Sequence, residues 1–260
     1  MKIYDLFQYS GEDDLLEIRL NTLSEIIDKF YIVESRLTHT RKEKPLYFLE
    51  SGYRFNSFKD RIVYIDSDYC KYSNAFYNDW AARMVLFNSL PDEDCIIHHS
   101  DLDEISNLDS FKNVLEDFNR PVSFVTNYFF FCLDLWARRS NDAIIMKKSW
   151  VRDDFYRYRD ARSKNFFKII DTFSWHYSSV GTPENIAKKW RAFAHSSEVQ
   201  DVYKDPEYIK GQIKRKAGSW DIHAKDDELK LIEHIYPNLP KYLIENKDKF
   251  KHLFYEYYSK

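Results

Sequence analysis

Apolar positions in the first two-thirds of the chain fall into short runs separated by helix-spaced stretches. That alternation builds an α/β sheet with helices on its faces. Residues 2–9 (KIYDLFQY) predict a first strand, after which Leu16, Leu20, Leu23 and Ile27 recur at helical spacing. Ser10 with Asp13 three residues on reads as the start signal of this helix. Residues 30–35 (FYIVES) and 61–67 (RIVYIDS) predict the next two strands. Phe76, Trp80, Met84 and Phe87 then mark one face of a helix, and 94–100 (DCIIHHS) predicts a fourth strand running straight into Asp101-Leu102-Asp103-Glu104. A polar helix over 107–118 and an apolar segment, SFVTNYFFFCLDL, follow.

Beyond about residue 140 the pattern changes. Charged aromatic stretches (WVRDDFYRYRDAR), a strand-like KIIDTFSWHYSSV and helical segments from Pro183 predict a mixed region. The C-terminal YLIENKDKFKHLFYEYYSK predicts an amphipathic helix clasped on the core.

Composition narrows the function classes. With 44% hydrophobic and 31% charged residues, the 260-residue chain has the balance of a globular domain with a sizeable core. Lys and Arg number 39 against 42 acidic residues, for a formal charge of -3, which argues against a nucleic-acid partner held by bulk electrostatics. Aromatics reach 18% and there are five glycines, which disfavours a Gly-rich dinucleotide loop and supplies surfaces for stacking on a ring-shaped ligand. Cys70, Cys95 and Cys132 lie far apart without a CxxC pair, as in a reducing compartment. Acidic residues in MKIYDLFQYSGEDD arrive too early for a signal peptide, and no stretch approaches the ~20 apolar residues that span a bilayer. The expectation is a cytoplasmic protein without a transmembrane segment.

The local feature richest in chemistry is HHSDLDEI. Two carboxylates one residue apart, just past the end of a strand, can hold a hard divalent ion such as Mg²⁺ or Mn²⁺ through oxygen. Such an ion neutralises charge on a departing diphosphate. The alternative is structural, with Asp103 and Glu104 as charges at a helix N-terminus. An EF-hand is excluded, because position six from Asp101 is Ser106 rather than Gly and position twelve is Lys112 rather than Glu. His98 and His99 alternate across a strand and so cannot share one ion.

Four blocks in order, DLLEIRLNTLSEIIDKFYIVES, THTRKEKPLYF, HHSDLDEI and SWHYSSVGTPENIAKKWRAFAHSS, make the chain resemble glycosyltransferase family 17 over roughly residues 3–198. The resemblance implies a GT-A-like, mostly parallel sheet flanked by helices, with a mixed C-terminal region and a helical tail. It also implies a UDP-sugar donor (UDP-GlcNAc above others), a Mn²⁺ or Mg²⁺ cofactor, and inversion at the anomeric carbon. Asp101 and Asp103 take the place of the family's metal–diphosphate motif. The acceptor would be a glycan or a lipid-linked saccharide. One domain over 1–260 is expected, with a nucleotide-binding half at 1–140, an acceptor and metal half at 141–200, and a helical extension at 201–260.

Roles for individual residues follow from the same resemblance. Glu34 and Ser35, ending the second strand, would meet uracil or ribose. His39, Arg41, Lys42 and Lys44 on the next loop can face the diphosphate or simply be solvated. His176 is a candidate further metal ligand, with His195 as its competitor or a donor-phosphate contact, and Lys188 would meet the phosphates. For the general base the candidates are Asp171, favoured, then Glu104, Asp153 and Asp154. Trp136, Trp150, Trp175, Trp190, Tyr156 and Tyr158 are stacking candidates for acceptor sugars, at least half of them expected in the core. Two function classes stand beside each other: a metal-dependent inverting glycosyltransferase, and a catalytically silent glycan- or nucleotide-binding module. A nucleotidyltransferase is disfavoured, since no phosphate-cradling glycine loop is visible.

Overall fold

A computed structural model describes residues 1–217, 230–231 and 239–259. The remaining parts of the expected helical extension lie outside the described residues. The chain order is β1 (Ile3–Gln8), α1 (Asp13–Leu23), β2 (Lys29–Glu34), α2 (Tyr47–Ser51), β3 (Ile62–Asp66), α3 (Ala75–Asn88), β4 (Ile96–His99), β5 (Glu104–Ile105) and α4 (Leu108–Glu116). It continues through β6 (Val122–Phe130), β7 (Leu135–Lys147), α5 (Tyr156–Asp160), β8 (Lys168–Ser178), α6 (Pro183–Ala192), α7 (Pro206–Arg215), β9 (Lys230–Leu231), α8 (Lys241–Glu245) and α9 (Tyr255–Tyr258).

The strands form one sheet in the order β3-β2-β1-β4-β7-β6-β8-β5, with β9 on β7. The expected α/β layering is present. β3, β2, β1 and β4 are parallel; β2, β1 and β4 are covered on both faces, as their near-continuous apolar runs require, while β3 is the partly covered edge strand. β7 joins antiparallel between β4 and β6, β8 runs parallel to β6, and β5 closes the order antiparallel to β8. From β1 the chain steps outward to β2 and β3, then returns to place β4 on the other side. That reversal opens a crevice at the carboxyl ends of β1 and β4, where ligands of open α/β sheets bind.

One buried cluster under the sheet gathers Phe7, Leu16, Leu20, Phe30, Phe111 and Phe124, and another on the opposite face gathers Leu6, Val33, Leu86, Ile97 and Phe155. His98 and His99 divide between these faces, one beside Phe111 and the other beside Phe155, as strand alternation demands. The three cysteines are buried free thiols.

Four local expectations need correction. Helix α1 begins at Asp13 without a side-chain cap, because the chain first turns at Gly11 (φ 98°) and the Ser10 amide donates to Glu12. The buried positions of α3 are Asn78, Ala82, Arg83 and Leu86, while Phe76, Trp80, Met84 and Phe87 are only partly covered. Arg83 turns inward because Asp79, Asp101 and Asp160 lie there. The C-terminal helix is broken into α8, a 3-10 turn at Lys251–Leu253, and α9. Its backbone leaves the helical path to let the Leu253 carbonyl accept from Leu133, while Lys249 and His252 reach Glu17 and Asp14 of α1. Finally, β7 was not foreseen; it runs unbroken across residue 140, its charged centre (ARRSND) masking the strand pattern.

Candidate active site

The acidic turn after β4 is built on a buried arginine. Arg19 of α1 is fully buried and pairs with both carboxylate oxygens of Asp5 on β1, at 2.8 and 2.7 Å. Its Nη1 donates to the carbonyls of Asp101 (2.8 Å), Leu102 (3.2 Å) and Glu104 (2.8 Å), and Nη2 donates also to Ser100 Oγ (2.7 Å). A planar guanidinium with five donors is the one side chain able to hold so many acceptors at once. Asp5 also meets His98 Nδ1 at 2.7 Å, and His98 Nε2 meets Ser106 at 2.8 Å, so both ends of the turn are tied to one buried network. Within the turn, the Asp101 amide donates to Glu104 Oε2 and the Glu104 amide to the Asp101 carbonyl.

Past the turn, β5 pairs with β8 so that Glu104 lies opposite His176. Opposed residues share a face of the sheet, which brings their side chains together. Asp142, from β7, completes the group: Glu104, Asp142 and His176 each present a donor atom, all within 4.8 Å of one another. His176 Nδ1 lies 3.1 Å from Asp142 Oδ2, and its Nε2 lies 3.8 Å from Asp103 Oδ1. Asp103 also accepts from Lys189 of α6 at 2.7 Å. Arg159 of α5 pairs with Glu104 and, at 3.3 Å, with Asp101, whose side chain is 46% exposed to the cleft.

The electrostatics follow from this crowding. Burial pushes the Glu104 pKa up to about 7, helped by Asp101 and Asp142 and opposed by Arg159. Burial would lower that of His176, but Asp142, Asp103 and Glu104 outweigh it and raise the imidazole to about 9. The enclosing walls of the cleft disfavour the Asp101 anion too, yet Arg159 and Arg83 hold its carboxyl well below the usual range. The imidazolium thus supplies positive charge that the surrounding carboxylates require. A divalent cation can supply the same charge, and the oxygen and imidazole donors suit Mn²⁺ or Mg²⁺. The donor set fits such an ion.

A cleft of about 1010 Å³ opens over the group, walled by the β1–α1 turn (Tyr9, Gly11), the loop after β2 (His39, Lys42), α3 and α6. Asp101, Asp103, Glu104, His176, Lys188 and His195 all line it. Lys188 sits 3.8 Å over the Tyr47 ring, and His195 lies edge-on to Phe76 at 4.8 Å with its Nδ1 on Glu198. Between the two histidines, His176 is the one placed among the carboxylates.

Three of the expected site residues are not brought to the cleft. The Glu34 carboxylate is fully buried, accepting from Lys44, the Tyr47 and Phe48 amides and Tyr64, so it caps α2 from below. Ser35 is buried beside it and accepts from the Leu37 amide. Asp171 pairs with Arg139 on β7, five residues down β8 from His176, about 16 Å away at ~3.3 Å per residue. Asp153 and Asp154 also lie off the cleft wall. Conversely, Asp142 and Arg159 were missed. Asp142 carries the one available signal, a lone carboxylate opening the apolar run AIIM, whereas Arg159 is one of several arginines in a charged stretch.

A crevice at the switch point of an α/β sheet, floored by an acidic and imidazole group and walled by lysines, defines a ligand-binding α/β protein with a site suited to anionic phosphates. The chain belongs to glycosyltransferase family 17, whose sequence profile matches residues 1–256 and so extends well past the resemblance at 3–198. It is 24% identical over 300 residues to the human β-1,4-mannosyl-glycoprotein 4-β-N-acetylglucosaminyltransferase, covering 97% of this chain and 55% of that protein. The Mus musculus enzyme of the same name is likewise 24% identical, with 54% of it covered. The chain thus spans about half the length of the curated relatives it matches. Among solved structures it is similar to S. aureus TarS 1–349 (TM-score 0.43, 9% identity, 82% of this chain and 72% of that one). It is also similar to the galactosyltransferase LgtC in complex with donor and acceptor sugar analogs (TM-score 0.38, 9% identity, 96% and 94%).

Proposed function

We propose that this protein transfers a sugar, GlcNAc from UDP-GlcNAc, to a hydroxyl of a glycan or lipid-linked saccharide, with inversion at the anomeric carbon and with Mn²⁺ or Mg²⁺ bound. The observation that carries the reading is the Glu104–Asp142–His176 group joined to the Asp101–Asp103 turn on the floor of the cleft. Asp101, Asp103, Glu104, Asp142 and His176 are the residues that would hold the ion, which supplies Lewis-acid neutralisation of a leaving diphosphate. Lys188 of α6 and Lys42 of the loop after β2, both lining the cleft, would meet the donor's negative charge. Tyr47, partly exposed on the cleft wall, offers aromatic surface beside them for a nucleoside. Lys189, bonded to Asp103, keeps that carboxylate pointed across the turn toward His176. An inverting transfer needs a base on the acceptor side. Asp160 lines the cleft, is 46% exposed and stands outside the group that would hold the ion, which leaves it open to take the acceptor's proton. In this reading the enzyme acts in the cytosol; among the described residues no helix is long and apolar enough to cross a membrane.

The test is to incubate the protein with a panel of UDP-sugars and Mn²⁺ and measure UDP release, with and without excess EDTA. UDP release with UDP-GlcNAc that EDTA abolishes is expected. UDP release that is indifferent to EDTA overturns the metal assignment. Tight UDP binding with no turnover on any donor instead identifies a silent binding module.

A further inference from the structure

Beyond the cleft, a row of aromatic rings leads outward from its wall. Trp80 of α3 lines the cleft, the Tyr77 ring lies 5.1 Å from it, and Tyr72 lies 6.0 Å from Tyr77. Tyr77 and Tyr72 are 47% and 51% exposed, a contiguous display of large rings that a solvated surface does not otherwise favour. The row is held in place. Tyr156 of α5 stacks on Trp80 at 4.7 Å and 15°. The fully buried Asn78 bonds the Tyr72 amide and carbonyl and the His39 carbonyl, fixing the segment that carries Tyr72 and Tyr77. Rings fixed before a ligand arrives lose little entropy on binding it.

The surroundings say what the row receives. Trp80 and Arg83 are three residues apart on α3, and Tyr156 and Asp160 four apart on α5, so each pair shares a helix face. The stacked rings therefore lie one turn, about 5.4 Å, from the contact between Arg83 and Asp160, and Arg83 continues to Asp101 at 3.8 Å. Asp79 lies on the same stretch of α3. Ring faces carry negative charge density and meet the C–H faces of pyranoses, while carboxylates accept from their hydroxyls. Rings beside carboxylates, continuous with a cleft where a sugar is transferred, match a saccharide.

We propose that Trp80, Tyr77 and Tyr72 form the acceptor shelf: a saccharide of more than one ring lies along them, with the ring to be modified at the Trp80 end beside Asp160. This rests on the transferase reading above. The length of the row selects acceptors, favouring oligosaccharides over single sugars.

Isothermal titration of the full chain with chitotetraose, mannotetraose and cellotetraose, each against its monosaccharide, tests it. At least one tetrasaccharide should bind ten-fold or more tightly than its monosaccharide. Trp80→Ala should weaken that binding at least ten-fold and Tyr77→Ala about three- to ten-fold, while Trp80→Phe, which keeps a stacking face, stays within about three-fold. Tyr72→Ala, at an exposed position, gives a variant that keeps the fold and should still lose affinity for the tetrasaccharide. Absence of tetrasaccharide binding, unchanged affinity in Tyr77→Ala and Tyr72→Ala, or binding to phosphatidylglycerol vesicles in place of sugar overturns the shelf. Saccharide binding without sugar transfer from any UDP-sugar would reject the transferase reading and leave the shelf standing; transfer with an unchanged acceptor KM in Tyr77→Ala would do the reverse.

Discussion

Arg19→Met removes the side chain on which the acidic turn is assembled, and the structure sets the size of the effect. Arg19 and Asp5 are both fully exposure-free, and Met fills a similar volume without donors. Breaking a buried pair from one side costs about 3–5 kcal/mol, since Asp5 is left as an uncompensated buried charge. Ser100 Oγ, 3.2 and 3.0 Å from the carbonyls of Asp101 and Glu104, has one proton to donate, so the further loss falls on Leu102 and on one of these two, at about 1 kcal/mol in all. The sum, roughly 4–6 kcal/mol, is a large part of the ~5–15 kcal/mol that a domain has. Urea unfolding followed by far-UV circular dichroism and extrapolated to water reads this directly. Arg19→Lys keeps the charge but loses the fork and should cost about 2–3 kcal/mol. Removing both charges, in Arg19→Met with Asp5→Leu, should recover at least 1 kcal/mol over Arg19→Met alone. An Arg19→Met protein within 1 kcal/mol of the parent, or a double variant no more stable than the single one, refutes the reasoning.

Other outcomes follow from the same geometry. Burial alone would raise the Asp5 pKa, but Arg19 and His98 hold it well below the unfolded value of ~3.9, so its contribution is complete above that value and lost as pH falls below it. The melting-temperature gap between the parent and Asp5→Asn should therefore shrink below about pH 4; a gap constant from pH 7 to pH 3 counts against the network. Asp101→Asn and Asp103→Asn should each lower sugar transfer at least 10²-fold with an unchanged far-UV spectrum, and full activity in either variant would remove both from the site. Calorimetric Mn²⁺ binding should weaken ten-fold or more in His176→Ala and in Asp142→Asn, and equal affinity in Asp142→Asn would exclude β7 from the ion's cradle. Gly11→Ala forces a left-handed backbone and puts a Cβ 2.9 Å from the Tyr47 ring, costing about 1–3 kcal/mol, whereas Gly181→Ala, with no contact under 3.6 Å, should be near neutral.

Much of the strand order's raw material is visible in local pattern. The runs 2–9, 30–35, 61–67 and 94–100 each became a parallel strand; the three inner ones are apolar almost throughout because both their faces are buried, and the edge strand β3 keeps an apolar run while only partly covered. β7 escaped notice for the opposite reason: its centre crosses the polar floor of the cleft, so alternation fails where function begins. Of the residues expected to act, Asp101 and Asp103, placed by adjacency to a strand end, line the cleft floor. Glu34 also ends a strand, but the cap it gives α2 depends on a loop folding back thirteen residues later, which no local signal announces.

Local pattern alone determined that this chain makes an α/β sheet and that an acidic turn follows its fourth strand, because strand burial and side-chain alternation are properties of neighbouring residues. Only the tertiary structure decided that Glu104, Asp142 and His176 converge, since they come from three strands whose register depends on pairings across 72 residues of chain, from Glu104 to His176. It likewise decided that Arg19, an unremarked helix residue, holds the turn together. A buried charge takes its role from the acceptors that surround it, and those are assembled by the fold.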